Sequence, residues 1–397
     1  MSPHPGTLPG SQASIHPGMH PGAHPARLGS AVDFSQRPML VFWETTRACG
    51  LSCNHCRASA TLQALPGELT QAEGEALVDQ VAGFGRPHPI LVLTGGDCLL
   101  RPDLWQLVER ATALHIPVAL SPSVTPSLTD EAIDRIAAAG VKAVSISLDG
   151  ATAATHDGVR GVPGHFPRTV EALRRLVAAG LTVQVNTTVM RATVDELADV
   201  ARILVDVGVH MWEVFFLVHV GRGVDAGDLT PSEHEDVCHL LYDASHYGFV
   251  VRTVEAPFFR RVVAQRREGG EPASGELYRR LSSRLVEVLG PPTHRPGAQT
   301  ASTRDGKGIV FVAHDGTVYP AGFLPLALGS VRERGLAEIY RDDTRLQDVR
   351  AARFTGRCGA CRYADLCGGS RARAYAATGD LLAEDPACAY DPATDPR

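Results

Sequence analysis

Helical segments that end at glycine just before an apolar run place the strongest limit on how this chain folds. Glycine is a favoured residue at the end of a helix. Gly140, Gly180 and Gly208 each close such a segment, and a strand-like run follows each one within a few residues. Repeated strand–helix units of this kind build a parallel sheet with right-handed crossovers. The chain is therefore predicted to have an α/β fold with helices packed outside a parallel sheet.

The full series contains six strand–helix units. The predicted strands cover residues 39–43, 90–94, 118–120, 143–148, 182–189 and 212–218, and the predicted helices cover 69–84, 103–114, 130–139, 169–179 and 194–207. Six units form a partial (β/α)6 TIM-like barrel, in which catalytic groups lie at the C-terminal ends of the strands.

Three cysteines follow the first predicted strand in a C-x3-C-x2-C pattern, at Cys49, Cys53 and Cys56. Three thiolates can hold three irons of a cubane cluster and leave the fourth iron without a protein ligand. Such an open iron can bind a substrate. The alternative is a Cys3His zinc site that includes His55. It is less favoured because the adjacent His55 and Cys56 cannot easily face one metal, and zinc motifs usually contain two C-x2-C pairs.

Four more cysteines lie near the C-terminus, and two others stand alone. Cys358, Cys361, Cys367 and Cys388 form C-x2-C-x5-C with a distant fourth member. Four thiolates close either an iron–sulfur cluster or a zinc site, and the spacing alone leaves both open. Cys98 is interpreted as a small, partly buried residue.

Composition excludes several classes of protein. The net charge of -6 offers no electrostatic footprint for nucleic acid. No apolar run approaches the roughly 20 residues that span a bilayer, and no signal peptide is recognisable at the start of the sequence. Seven of the nine cysteines fall into two clusters, which indicates metal binding in a reducing compartment. A cytoplasmic protein is predicted.

The cysteine pattern, together with Gly95-Gly96-Asp97 after the second strand, resembles the radical SAM superfamily. The resemblance implies a [4Fe-4S] cluster whose open iron is chelated by S-adenosylmethionine (SAM). Reduction of that cluster cleaves SAM to a 5'-deoxyadenosyl radical, which abstracts a substrate hydrogen. By the same resemblance, Gly95, Gly96 and Asp97 match a Gly-Gly-Glu stretch whose backbone contacts the methionyl amino group, with Asp97 in the acidic position. His55 takes a position that is usually aromatic.

A second stretch, Ser145 to Gly150, resembles a strand end found in radical SAM maturases. Alternation places Ser147 and Asp149 on one face, where a hydroxyl and a carboxylate suit a ribose or a carboxylate. The resemblance assigns SAM contacts to Ser147 and Asn186, and also to Arg160. The alternative for Asp149-Gly150 is a simple turn.

The C-terminal cysteines resemble the SPASM domain that follows many radical SAM cores. They match the ligands of its second auxiliary cluster, whereas the first looks absent because Ala321 stands where the family has a cysteine. One auxiliary [4Fe-4S] cluster is therefore predicted, with zinc as the alternative. A closed cluster can accept an electron, which favours an oxidative modification of the substrate.

The predicted organisation has four parts. Residues 1–36 form a disordered tail rich in His, Pro and Gly, residues 37–230 a radical SAM core, 231–300 a helical connector, and 301–397 a SPASM-like (twitch-like) domain. The last part contains a predicted hairpin, with strands over 309–313 and 317–319 joined by an Asp-Gly turn.

Within the superfamily, the chain looks most like the heme-pathway group, which includes iron-coproporphyrin decarboxylases and heme d1 maturases. A tetrapyrrole substrate is expected, and Arg222, Arg371 and Arg373 are candidates to bind its propionates. A peptide maturase is the first alternative, and a non-catalytic iron–sulfur or zinc binding protein is the second. The expected partners are a small-molecule or peptide substrate and a flavodoxin- or ferredoxin-like reductant.

Overall fold

A computed structural model describes residues 33–299 and 303–394 of the chain. The predicted tail therefore lies outside the described residues, except for positions 33–36. One sheet dominates the described part, with the strand order β11-β10-β9-β1-β2-β3-β4-β5-β6-β7, and β8 pairs with β9. Strands β1 to β7 are parallel to their neighbours throughout.

The strands are β1 Leu40–Glu44, β2 Ile90–Thr94, β3 Val118–Leu120, β4 Ala143–Ser147, β5 Val183–Val189, β6 Met211–Phe216, β7 Val250–Val254, β8 Arg304–Asp305, β9 Gly308–Val312, β10 Thr317–Tyr319 and β11 Gly329–Ser330. The α-helices of the barrel part are α1 Gln71–Ala82, α2 Leu104–Ala113, α3 Asp130–Ala138, α4 Ala153–Arg160, α5 His165–Ala178, α6 Leu197–Val207, α7 Pro231–Ala244, α8 Phe259–Arg267 and α9 Glu276–Leu289. The C-terminal α-helices are α10 Leu336–Asp342, α11 Thr344–Arg350, α12 Gly356–Ala360 and α13 Arg371–Thr378.

Side-chain alternation along the strands separates the core from the barrel interior. In β5, Val183, Val185 and Val189 are fully buried against the helices, whereas Gln184 and Asn186 on the opposite face are only partly buried. Period-2 alternation produces this pattern when one face of a strand meets helices and the other faces a cavity. The interior face of β4 to β7 is consequently the polar one.

The predicted order of strands and helices is confirmed, with three differences. Val250–Val254 continues the parallel sheet as a seventh strand, although residues 231–300 were predicted to be a helical connector. Helix α4 lies between β4 and α5, where no helix was predicted. The hairpin forms, but its first strand β9 also pairs in parallel with β1, which joins the C-terminal part to the barrel sheet.

The described residues contain no helix that is both long enough and apolar enough to cross a membrane.

Candidate active site

The loop between β1 and α1 brings Cys49, Cys53 and Cys56 together in one small apolar cluster. All three thiols are unpaired, and Cys49 and Cys53 are buried. The loop is closed by two backbone hydrogen bonds, from Cys49 N to Thr61 O at 2.7 Å and from Thr61 N to Arg47 O at 3.0 Å. The three cysteines are thus held on one side of a short, backbone-tied loop.

Each of these three sulfurs has an N–H donor beside it. Leu51 N lies 3.4 Å from the Cys49 sulfur, Ala60 N lies 3.5 Å from that of Cys56, and Arg160 Nη1 lies 3.5 Å from that of Cys53. Hydrogen bonds to sulfur are among the features by which proteins tune iron–sulfur clusters. This donor set suits thiolate ligands of a cluster.

Gly95 and Gly96 let the end of β2 approach the cysteine loop closely. A Cβ on Gly95 would lie 2.5 Å from Thr46 O, and one on Gly96 would lie 2.3 Å from Ala48 O. The approach is secured by Gly96 N, which donates to Thr46 O at 2.8 Å. Any larger residue here would push the loop away from the strand end, so both glycines are needed to shape the site.

Asp97 stabilises the end of β2 through buried hydrogen bonds. Its carboxylate is fully buried and accepts hydrogen bonds from Thr125 Oγ1 at 2.7 Å and from Ser123 N and Leu99 N at 3.2 Å. Burial raises the pKa of Asp97 above its ordinary value. The prediction that this stretch contacts the methionyl amino group concerns its backbone and stays a prediction, while the Asp97 carboxylate binds protein donors. Ser123 was missed, although its hydroxyl lies 3.6 Å from the Cys49 sulfur.

Asp149 and Arg160 form a buried ion pair behind the cysteine loop. Arg160 Nη2 lies 2.6 Å from Asp149 Oδ2, and the same oxygen is 3.1 Å from His55 Nε2. Thr188 N donates to Asp149 Oδ1 at 2.8 Å. Although burial opposes ionisation, the charges of Arg160 and His55 hold the pKa of Asp149 well below its usual range.

This pair gives both residues structural contacts, while their predicted SAM contacts stay predictions. The Asp149 side chain is completely buried and orients Arg160 and His55. Arg160 reaches the Cys53 sulfur and connects the pair to the cluster loop. Arg160 lies on helix α4. Because no helix was predicted over these residues, the direction of the Arg160 side chain could not be predicted from the sequence.

Two buried histidines extend this network away from the cysteines. Asp149 N donates to His156 Nδ1 at 3.1 Å, and His156 Nε2 is 2.8 Å from His165 Nδ1. His165 Nε2 lies 3.0 Å from Val124 O, which can only accept. In all three contacts a donor meets an acceptor if both imidazoles are neutral and carry their hydrogen on Nε2. Burial lowers the pKa of His156 to about 3.

The neutral state of His156 predicts an acid-sensitive fold. In the unfolded chain His156 protonates below about pH 6.5, whereas in the folded protein it stays neutral down to about pH 3. Stability contributed by this residue is present above pH 6.5 and is lost as pH falls from 6.5 towards 3. At pH 5 the expected loss is about 2 kcal/mol.

Denaturant unfolding at pH 7 and pH 5 measures this loss. His156→Asn retains an acceptor for Asp149 N and removes the titrating ring, so its stability should fall less between the two pH values. An equal pH dependence in both proteins would contradict the assignment.

A row of polar side chains crosses the barrel interior. Ser147 pairs in register with Asn186, Asn186 with Glu213, and Glu213 with Arg252. Gln184 Nε2 donates to both Asn186 Oδ1 and Glu213 Oε2 at 2.8 Å, and among the described residues the Asn186 amide nitrogen makes no hydrogen bond. Burial raises the pKa of Glu213 and lowers that of Arg252. Of this row, the sequence interpretation included Ser147 and Asn186 and missed Glu213 and Arg252.

The four C-terminal cysteines line one pocket beside α12 and α13. Tyr363 N and Gly369 N each lie 3.4 Å from a sulfur, those of Cys361 and Cys367 respectively. Across residues 33–299 and 303–394, no group of three or more His, Cys, Asp or Glu side chains is arranged to hold a single metal ion.

The arginines that were candidates for propionate binding have structural contacts. Arg373 is buried and pairs with Asp385 at 3.1 Å, and Arg371 is fully buried and donates to backbone carbonyls. Arg222 donates to Cys53 O at 2.8 Å and Ala60 O at 3.0 Å, so it fastens the cysteine loop. The structure does not support the expectation that Arg371 and Arg373 bind propionates, because both side chains are buried and hold protein groups. Ala321, in the place of a cluster cysteine, is buried.

This combination of a parallel partial barrel, a three-cysteine loop beside its strand ends and a four-cysteine C-terminal site defines a class of enzyme. The chain matches the sequence model of the Radical SAM superfamily over residues 43–204 and that of the SPASM iron–sulfur cluster-binding domain over residues 304–362. It belongs to the radical SAM superfamily. Its cofactors are SAM, a [4Fe-4S] cluster that binds SAM and an auxiliary [4Fe-4S] cluster, so it is an enzyme rather than a non-catalytic metal-binding protein.

Two relatives and one solved structure show which members of the superfamily this chain is similar to. The chain is 35% identical to the AdoMet-dependent heme synthase of Methanosarcina barkeri, over 91% of this chain and 99% of that protein. It is 30% identical to the mycofactocin maturase of Mycobacterium tuberculosis, over 88% of this chain and 83% of that protein. Its fold is similar to that of Streptococcus suis SuiB bound to precursor peptide SuiA, with a TM-score of 0.67 and 12% identity, over 89% of this chain and 76% of that one.

Proposed function

We propose that this enzyme removes carbon dioxide oxidatively from a propionate side chain of a tetrapyrrole. Support comes first from the relative at 35% identity, which is named as a heme synthase, compared with 30% for the mycofactocin maturase. The observation that carries the proposal is the interior row that ends at Arg252. It offers a cation to an anionic substrate at the same level of the barrel as Ser147 and Asn186.

Within this proposal, Cys49, Cys53 and Cys56 bind the SAM cluster, and Gly95, Gly96, Ser147 and Asn186 shape the SAM site. Asp149 and Arg160 are positioning residues behind the loop. Cys358, Cys361, Cys367 and Cys388 bind the auxiliary cluster. The site supplies a 5'-deoxyadenosyl radical when SAM and one electron are present.

In the proposed reaction, a hydrogen atom moves to the 5'-deoxyadenosyl radical from the propionate carbon that is attached to the ring. The bond between the remaining CH2 and the carboxylate then breaks, carbon dioxide leaves, and a vinyl group forms as one electron departs. One electron enters to cleave SAM and one leaves to the auxiliary cluster. A flavodoxin- or ferredoxin-like protein is proposed as the reductant.

Arg252 is well placed to hold a carboxylate of the substrate. Its Nε donates to Gln299 Oε1, while among the described residues its two terminal nitrogens make no hydrogen bond. The backbone partner of Arg252 in the sheet, Glu213, has a raised pKa because it is buried. A guanidinium with both terminal nitrogens available suits bidentate binding of a carboxylate.

Incubation of the anaerobically reconstituted protein with SAM, dithionite and iron coproporphyrin III tests the function. The expected product has lost one carbon dioxide and two hydrogen atoms for each propionic acid converted, as measured by mass spectrometry. If 5'-deoxyadenosine forms while the porphyrin stays unchanged and a short peptide is modified instead, the enzyme is a peptide maturase and the proposal fails.

Arg252→Gln is expected to weaken binding of iron coproporphyrin III by about 10- to 100-fold, because a charged hydrogen bond contributes about 1.5–3 kcal/mol. Titration of the porphyrin absorption band measures the dissociation constant. Arg252→Lys should retain part of the affinity. The control is Arg110→Gln on the outer helices, where Arg110 pairs with Asp79 in an exposed salt bridge. Equal affinity of the Arg252→Gln variant and the unaltered protein would remove Arg252 from the site.

A cytoplasmic location is proposed as well. All nine cysteines are unpaired, and oxygen-sensitive thiolate clusters require a reducing compartment.

A further inference from the structure

Arg261 and Arg357 line the pocket of the four C-terminal cysteines and pair with Glu235 and Glu384, whereas two other arginines nearby are buried without a carboxylate partner. Arg371 is 0% exposed and Arg304 is 4% exposed. Among the described residues, neither guanidinium makes an ion pair with a carboxylate, and both donate to backbone carbonyls instead. Buried arginines of this kind are unusual, because an unpaired charge is costly to remove from water.

Arg371 points at the cysteine pocket. Its Nη2 lies 3.8 Å from the Cys358 sulfur, while Nη1 donates to Leu381 O at 2.9 Å and Ala383 O at 2.7 Å. The guanidinium also stacks on Phe354, with 4.4 Å between its central carbon and the ring centroid. These contacts fix the charge beside one ligand sulfur.

Arg304 and Arg260 bind the backbone of the segment between Cys361 and Cys367. Arg304 donates to Ala364 O and Asp365 O at 2.9 Å, both in the segment between Cys361 and Cys367. Arg260 donates to Leu366 O at 3.3 Å in the same segment. Burial lowers the pKa of Arg304 and of Arg260 to about 10, which leaves both charged at neutral pH.

The N-terminal loop has a different charge balance. Arg160, which touches the Cys53 sulfur, is neutralised by Asp149 at 2.6 Å. Asp97 adds a buried carboxyl close to Cys49. Arg222 also has no carboxylate partner among the described residues, but it donates to Cys53 O and Ala60 O and makes no hydrogen bond with a sulfur. No arginine without a carboxylate partner is therefore in hydrogen-bond contact with these three sulfurs within the described part of the chain.

We propose that Arg371 and Arg304 raise the reduction potential of the auxiliary cluster above that of the SAM-binding cluster. A thiolate-ligated cluster becomes more negative when it is reduced, and fixed positive charges and hydrogen bonds to sulfur stabilise that state. The four thiolates in turn supply the counter-charge that the two arginines lack. The electron released by the substrate consequently flows towards the auxiliary cluster. This direction of flow rests on the proposed function, whereas the order of the two potentials does not.

Redox titrations followed by electron paramagnetic resonance test the proposal. The auxiliary cluster is measured in the full-length chain with Cys49, Cys53 and Cys56 changed to alanine, and the SAM-binding cluster in the chain with the four C-terminal cysteines changed to alanine. The auxiliary cluster should have the higher midpoint potential. The reverse order, or zinc at the C-terminal site, would overturn the proposal.

Arginine variants then identify the cause. Arg371→Met and Arg304→Met should each lower the midpoint potential of the auxiliary cluster, and the lysine variants should restore most of it. Arg353→Met is the control, because Arg353 is largely exposed and pairs with Asp348. Unchanged potentials in both methionine variants, with iron content preserved, would overturn the proposal. If a methionine variant loses its iron, the comparison of the two midpoint potentials in the cysteine variants still tests the proposal.

Discussion

Replacing Cys49, Cys53 and Cys56 together with alanine is expected to reduce SAM cleavage to the level measured without enzyme. These three thiols are the ligands that the N-terminal loop offers, and without them no iron is positioned for SAM. Iron content should fall from about eight to about four atoms per chain, because the auxiliary cluster keeps its own four cysteines. Quantifying 5'-deoxyadenosine and iron in the same preparation checks both expectations.

Cys98→Ala provides the matched control. Cys98 is another buried, unpaired cysteine, it directly follows Gly95-Gly96-Asp97, and it is 0% exposed. Its alanine variant should retain SAM cleavage and full iron content. Persistent SAM cleavage in the triple variant would refute the assignment of the N-terminal cysteines.

Asp149→Asn should produce the second large effect, a loss of about 3–5 kcal/mol in the free energy of unfolding. The substitution keeps the side-chain size but leaves Arg160 buried without its counter-ion, and breaking one side of a buried pair has this cost. The cysteine loop should also bind iron less completely, since Arg160 and His55 lose their common anchor. Denaturant unfolding and iron analysis measure the two effects.

Two comparisons separate this effect from general damage. Changing Arg160 to methionine in the Asp149→Asn background should recover part of the lost stability, because the unpaired charge is removed. Glu338→Gln breaks the exposed pair with Arg334 and should cost less than about 1 kcal/mol. A loss below about 1 kcal/mol for Asp149→Asn would show that the buried pair is not an important part of the fold.

The sequence was sufficient to predict the barrel and the two groups of cysteines that the structure brings together, since these depend on local patterns. Gly208, for example, ends α6 in the left-handed conformation that the C-terminal glycine pattern predicts. The spacing of Cys49, Cys53 and Cys56 is likewise a property of one short loop. Such features need no knowledge of distant contacts.

The roles of charged residues could not be predicted, because they depend on partners far away in the chain. Alternation predicted that Ser147 and Asp149 share a face, but the partner of Asp149, Arg160, sits on an unpredicted helix. Arg373 was a candidate to bind a propionate, but its guanidinium donates to Asp385 and to Glu255 O inside the protein. The seventh strand, β7, was missed, and with it Arg252.

The most direct test of the account uses iron coproporphyrin III with deuterium on the propionate carbon attached to the ring. Incubated with SAM and dithionite, the reconstituted protein should transfer deuterium into 5'-deoxyadenosine and release one carbon dioxide for each vinyl group formed. If 5'-deoxyadenosine forms without deuterium and no carbon dioxide is released, the proposed decarboxylation of a propionate is contradicted.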